Sequence, residues 1–228
     1  LSTPSVTPIT VTVTDGSGAP FGAGTYTVSN AAPVRINIGF GQPTKMFVSA
    51  TDLNKPLLDK GLILESANNF YVTFRNNDNI HAGYLTSKTT VAPGYNFRVG
   101  EIPDNDNLIA DQAQGRGFFT SFMALEDGTT VTISDYDADV EFYDVSGNIT
   151  DDTITVSLNQ GETYIVSGYN DWLPNHSGFI GAKVSADKPI VVNAGSSTGG
   201  FVSNYINGVP TTQQDFGYDQ LVDESWIG

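Results

Sequence analysis

The stretch that decides the fold is Ser185-Ala186-Asp187-Lys188-Pro189-Ile190-Val191-Val192-Asn193-Ala194-Gly195. It reads as a turn feeding a buried strand. Pro189 fixes φ and removes a donor where the strand begins, and Ile190-Val191-Val192 is apolar on both faces. An earlier stretch, Ser66-Ala67-Asn68-Asn69-Phe70-Tyr71-Val72-Thr73-Phe74-Arg75-Asn76, has the same form without the proline.

These segments lie about 119 residues apart, and the chain before them matches at nearly the same distance. Thr10-Val11-Thr12-Val13-Thr14-Asp15 aligns with Thr130-Val131-Thr132-Ile133-Ser134-Asp135. Ile36 and Ile38 fall on Val156 and Leu158, and Val48-Ser49 on Val166-Ser167. An offset held across four blocks predicts two tandem all-β units. The expected architecture is two internally repeated antiparallel β-sandwiches, Ig-like or jelly-roll-like: a lead-in over 1–8, a first unit over 9–117, and a second over 118–228.

Composition agrees. The 228 residues include 24 Gly and 11 Pro, suited to short strands and tight turns. Ile9 to Thr14 alternates apolar residues with Thr, as a half-buried strand does, and Leu62-Ile63-Leu64 with Phe70 to Phe74 reads as a strand pair. Ser196 to Gly200 reads as a small, flexible break. No apolar run has the roughly 18 residues needed to span a bilayer as a helix. There is no cysteine, which excludes a disulfide scaffold and a thiol nucleophile.

The net charge of −15 is uneven: residues 1–117 carry 8 basic and 9 acidic side chains, residues 118–228 carry 2 and 16. Such a field disfavours nucleic acid and anionic lipid as partners.

Leu158-Asn159-Gln160-Gly161-Glu162-Thr163-Tyr164-Ile165-Val166, followed by Lys183-Val184-Ser185 and the opening stretch, resembles the N-terminal-like domains of the IgGFc-binding protein family. His81 to Lys88 and Phe216-Gly217-Tyr218-Asp219-Gln220 resemble segments of its Bacteroidota members, which are large secreted or surface proteins. The resemblance extends over most of residues 10–228. It implies an extracellular β-sandwich module, and its motifs serve strands and turns more than any activity.

Chemistry is sparse. Only His81 and His176 could serve as a base, and neither accompanies a Gly-x-Ser-x-Gly elbow, so the chain reads as no enzyme. Ca²⁺ is the one cofactor weighed. Asp135, Asp137 and Asp139 alternate in one loop, and Asp104 and Asp106 in another, although both lack the Gly and terminal Glu of an EF-hand loop. Tyr169, Asn170, Asp171 and Trp172 join aromatic rings to amide and carboxylate groups, and form the expected ligand-binding loop; Tyr136 and Tyr143 could extend it.

The expected function is noncovalent recognition, or end-to-end stacking, by a secreted, adhesin-like surface protein. Its partner would be a cell-surface glycan or protein. One alternative is a filament subunit joined by strand exchange through Ile9, Val11 and Val13. Another is a carbohydrate-binding module of a carbohydrate-active protein.

Overall fold

The computed structural model describes residues 1–40, 44–77, 82–101, 117–144, 149, 153–169, 173–206 and 209–226, and only the backbone of 173, 197–206 and 209–216. The protein is all-β: the described residues form twelve strands joined by turns and short 3₁₀ segments, and no helix among them exceeds four residues.

Strand β1 (Ile9–Asp15) is the middle of a three-stranded antiparallel sheet, between β2 (Pro20–Val28) and β3 (Leu62–Glu65). Its alternation does what the sequence demands. Ile9, Val11 and Val13 point into a small core with Val28, while Thr10 and Thr12 face solvent. Val34 and Ile36 pack against that core with no strand ladder of their own.

The remaining sheets contain β4 (Thr73–Asn77), β5 (Ala82–Thr86), β6 (Gly94–Arg98), β7 (Gly117–Ala124), β8 (Thr129–Ser134), β9 (Ile154–Leu158), β10 (Thr163–Tyr169), β11 (Lys183–Ile206) and β12 (Val209–Gln220). Strands β4 and β5 form a hairpin beside β12; the other seven form one sheet centred on β11. Along one side of β11, β8 pairs with Lys183–Ala186 and β7 with Ile190–Ser196. The next layer repeats this order, β9 against β8 and β10 against β7. Thus β7 and β8 lie end to end, as do β9 and β10. Two long paths are interrupted at one level, at 125–128 and at 159–162, and beside them the ladder along β11 skips Asp187-Lys188-Pro189 while β11 itself runs on.

That level is a corner. The backbone from Val184 to Ser196, the partner of Phe118, would span about 40 Å if straight. Phe179, five residues before Val184, can reach back only about 18 Å. Yet the Phe118 and Phe179 rings stack with centroids 4.4 Å apart, so the sheet bends over and brings its far ends together. The inner faces of both arms supply one core, including Phe122, Val131, Ile133, Leu158, Val166, Val184, Ile190 and Val192.

The corner is fixed by its own hydrogen bonds. Leu125 N–H donates to Pro189 O, Thr130 N–H to Asp187 Oδ1 at 2.7 Å, Lys188 Nζ to Asp127 O, and Gly161 N–H to Ala124 O. Gly161 has φ +81°, and a Cβ on it would collide with the carbonyl oxygen of Gly16, in the turn after β1. The small sheet therefore touches the large one backbone to backbone at the corner.

Several expectations change. Leu62–Leu64 and Phe70–Phe74 do not pair with each other: β3 joins β1, whereas β4 joins β5, because Leu64 packs with the small core and Phe74 against Tyr218. The break expected at Ser196–Gly200 lies within β11, whose backbone pairs with β12 as far as Ile206. Strand β6, from the first half of the sequence, pairs with β11 of the second. Of the matched blocks, Thr10–Thr14 with Thr130–Ser134 and Thr73–Asn76 with Val192–Gly195 fall on strands in both halves, whereas Ile36, Ile38 and Val48 lie in irregular chain.

Candidate binding surface

Opposite the corner, the open side of the bent sheet is closed by residues 135–144 and 173–182. Tyr136, Phe142 and Phe179 turn inward and meet Phe118 in an aromatic plug, with Phe142 edge-on to the other three rings. Tyr143 N–H donates to Ser167 O at 2.7 Å, which sets its ring edge-to-face against Tyr169, centroids 4.9 Å apart. Both rings are half-buried. Asn170, Asp171 and Trp172 of the expected ligand loop lie outside the described residues.

Two buried asparagines hold this end. Asn175 Nδ2 donates to Glu141 O at 2.8 Å and Tyr169 O at 2.7 Å, while its Oδ1 accepts from Glu141 N–H at 2.9 Å. Asn54, at φ +57°, donates through Nδ2 to Tyr143 O at 2.9 Å and Asp144 Oδ1 at 3.1 Å, and through its N–H to Ile165 O. Leu57 and Thr163 exchange backbone hydrogen bonds, so segment 54–57 covers the outer edge of β10. Burial, and then the nearby Asp144 carboxylate, push the Tyr164 hydroxyl up from its ordinary range.

The sequence reading did not single out either asparagine. Asn54 sits two residues before Pro56 and Asn175 follows Pro174, settings that read as turns; the left-handed backbone of Asn54 is the local mark of such a role.

The acidic loop is already engaged. Asp135, at φ +60°, accepts from Arg98 Nη1 at 2.9 Å, and the same guanidinium reaches Glu224 Oε1 through Nε at 2.8 Å. Asp137 Oδ1 accepts the N–H of Asp139 and closes a local turn. Among the described residues no three His, Asp or Glu side chains converge as a metal site requires. Asp104, Asp106 and His81 lie outside the described residues, and His176 sits in the 3₁₀ turn Leu173–His176.

The strand-exchange residues Ile9, Val11 and Val13 are buried, and β1 is hydrogen-bonded on both edges. Exchange would require β1 to leave β2 and β3 first.

Four carboxyl groups among the described residues have shifted proton affinities, and Asp52 is one of them, lowered by hydrogen bonds from Lys55 and Ser49. Lys45, 2.8 Å away, and the Ser17 hydroxyl hold Asp15 down at about 2. Burial pushes Asp223 up, but hydrogen bonds from Ser225, Asn96 and Tyr95 outweigh it and hold the group below the usual carboxylate range. Asp223 thereby ties the C-terminal segment to β6, where a Cβ on Gly94 would strike its carboxylate. Burial pushes Glu101 up to about 8, and both of its oxygens are buried without a hydrogen-bond partner.

A family model described as IgGFc binding protein matches residues 82–228, from the start of β5 through the bent sheet. The chain belongs to the IgGFc-binding protein family. The matched span leaves out the three-stranded sheet of β1, β2 and β3, and is narrower than the resemblance read from residue 10 onward. No curated protein and no solved structure matches the chain. The IgGFc-binding family is one of binding domains, and these occur in secreted proteins. No helix among the described residues is long and apolar enough to cross a membrane, a finding that does not bear on β-barrels.

Proposed function

We propose that the chain is an extracellular, noncovalent binding module of an adhesin-like surface protein, and that a protein partner meets it at the loop end of the bent sheet. The observation that carries this reading is the Tyr143–Tyr169 pair, half-buried and pinned by Asn54 and Asn175 at the end opposite the corner. Tyrosines held on a rigid frame supply contact area at low entropic cost, as interface anchors do. Family membership supports binding over catalysis.

The test presents the immobilised chain with a panel of extracellular proteins, immunoglobulin Fc among them, and with a glycan array. The expected result is a protein ligand whose affinity falls at least tenfold in Tyr169→Ala, with the melting temperature within about 2 °C of wild type. Binding that survives both Tyr143→Ala and Tyr169→Ala would place the interface elsewhere. A ligand set of glycans alone would favour the carbohydrate-binding alternative.

A further inference from the structure

The hairpin of β4 and β5 packs its inner face against the large sheet: Phe74 approaches Tyr218 with ring centroids 6.0 Å apart, and Gly83 is buried. Its outer face is exposed at every position described: Thr73, Arg75 and Asn77 on β4, Ala82, Tyr84 and Thr86 on β5. Arg75 lies directly across from Tyr84, which places their Cβ atoms about 5 Å apart on that face. Tyr84 is 73% exposed.

Arg75 is unneutralised. It forms no ion pair or side-chain hydrogen bond with the described residues, whereas Lys45, Lys55, Lys88 and Arg98 are each paired. The hairpin borders β12 of the acidic second half, where Asp219 is already paired with Lys88. An open tyrosine face beside a guanidinium that has no ion pair, bordered by Thr73, Thr86 and Asn77, matches the chemistry of a carboxylated sugar. A ring face suits the C–H face of a pyranose, a guanidinium forks onto a carboxylate, and hydroxyl and amide groups meet sugar hydroxyls.

We infer that the outer face of the β4–β5 hairpin, through Arg75 and the Tyr84 ring across from it, binds glycans bearing a carboxylate. This site is separate from the loop end proposed above, and its fate does not decide that proposal.

The test is titration of the full chain with 3′-sialyllactose and tetragalacturonate, with lactose as the uncharged control and a tetraglutamate peptide as the acidic non-sugar. The expected result is saturable binding of at least one carboxylated sugar, at least tenfold tighter than lactose or the peptide and weakened by 0.5 M NaCl. Arg75→Gln and Tyr84→Thr, exposed strand positions that leave the inner face intact, should each weaken it at least tenfold with unchanged melting. The inference is overturned if neither carboxylated sugar binds, if lactose or tetraglutamate binds equally well, or if Arg75→Gln binds as wild type does.

Discussion

Asn175→Ala tests how the loop end is held. The side chain is 2% exposed and makes three hydrogen bonds that join Glu141, Tyr169 and the 173–176 turn. At about 0.5–1.5 kcal/mol each, their loss should cost about 2–4 kcal/mol, a large share of the roughly 5–15 kcal/mol typical of a folded domain. With a urea dependence of about 2–3 kcal/mol/M, the unfolding midpoint should fall by about 1 M. Asn175→Asp keeps an acceptor for Glu141 N–H but turns a carboxylate toward two carbonyl oxygens, so it should be at least as destabilised. Because the Tyr169 carbonyl is released, partner binding at this end should weaken even where the variant remains folded. Equilibrium urea unfolding followed by tyrosine and tryptophan fluorescence measures the effect. An Asn175→Ala midpoint equivalent to less than 0.5 kcal/mol of destabilisation would refute the pinning role.

Gly161→Ala should destabilise strongly, because φ is +81° and the new Cβ would meet the Gly16 carbonyl; a near-wild-type melting temperature would deny the contact between the two sheets. Asp15 titrates at about 2 in the folded chain, below its ordinary 3.8, so the stability it adds is present above about pH 4 and lost as the pH falls toward 2. Asp15→Asn should remove about 1–2 kcal/mol of that acid-dependent stability, an amount reduced by the partly exposed Lys45, as urea midpoints between pH 2 and 6 would report. Glu101 has the opposite sign: its folded-state value of about 8 lies above the ordinary 4.5, so stability present below about pH 4.5 declines as the pH rises through 8. Glu101→Gln should therefore match wild type near pH 4 and melt progressively higher than wild type up to pH 9; equal melting across that range would contradict the buried, unpartnered carboxyl.

What was legible in the sequence was which faces are buried. The alternation of Ile9, Val11 and Val13 gave the inward side of β1, and Val131 and Ile133 did the same for β8. Partners were not legible, because a period of two specifies a face and not a neighbour. Leu62–Leu64 and Phe70–Phe74 look like a hairpin yet join different sheets. Lys188-Pro189 reads as a turn before the strand's start, yet the strand runs through it from Lys183; whether a proline there ends a strand or bends one depends on 125–128 and 159–162 lying alongside, and those contacts are distant in sequence. The same holds for the binding end. Tyr169 carries its own signal, whereas Asn54 and Asn175 look like ordinary turn formers until their carbonyl partners come from Tyr143, Glu141 and Tyr169 itself.

The most direct test of the account is site-specific photo-crosslinking to the protein partner returned by the binding panel. A photoreactive phenylalanine analogue is placed at position 143 or 169, and at the corner position 160 for comparison. Adducts from 143 and 169 with none from 160 are the predicted outcome. Adducts from the corner alone would contradict the claim that the partner meets the loop end.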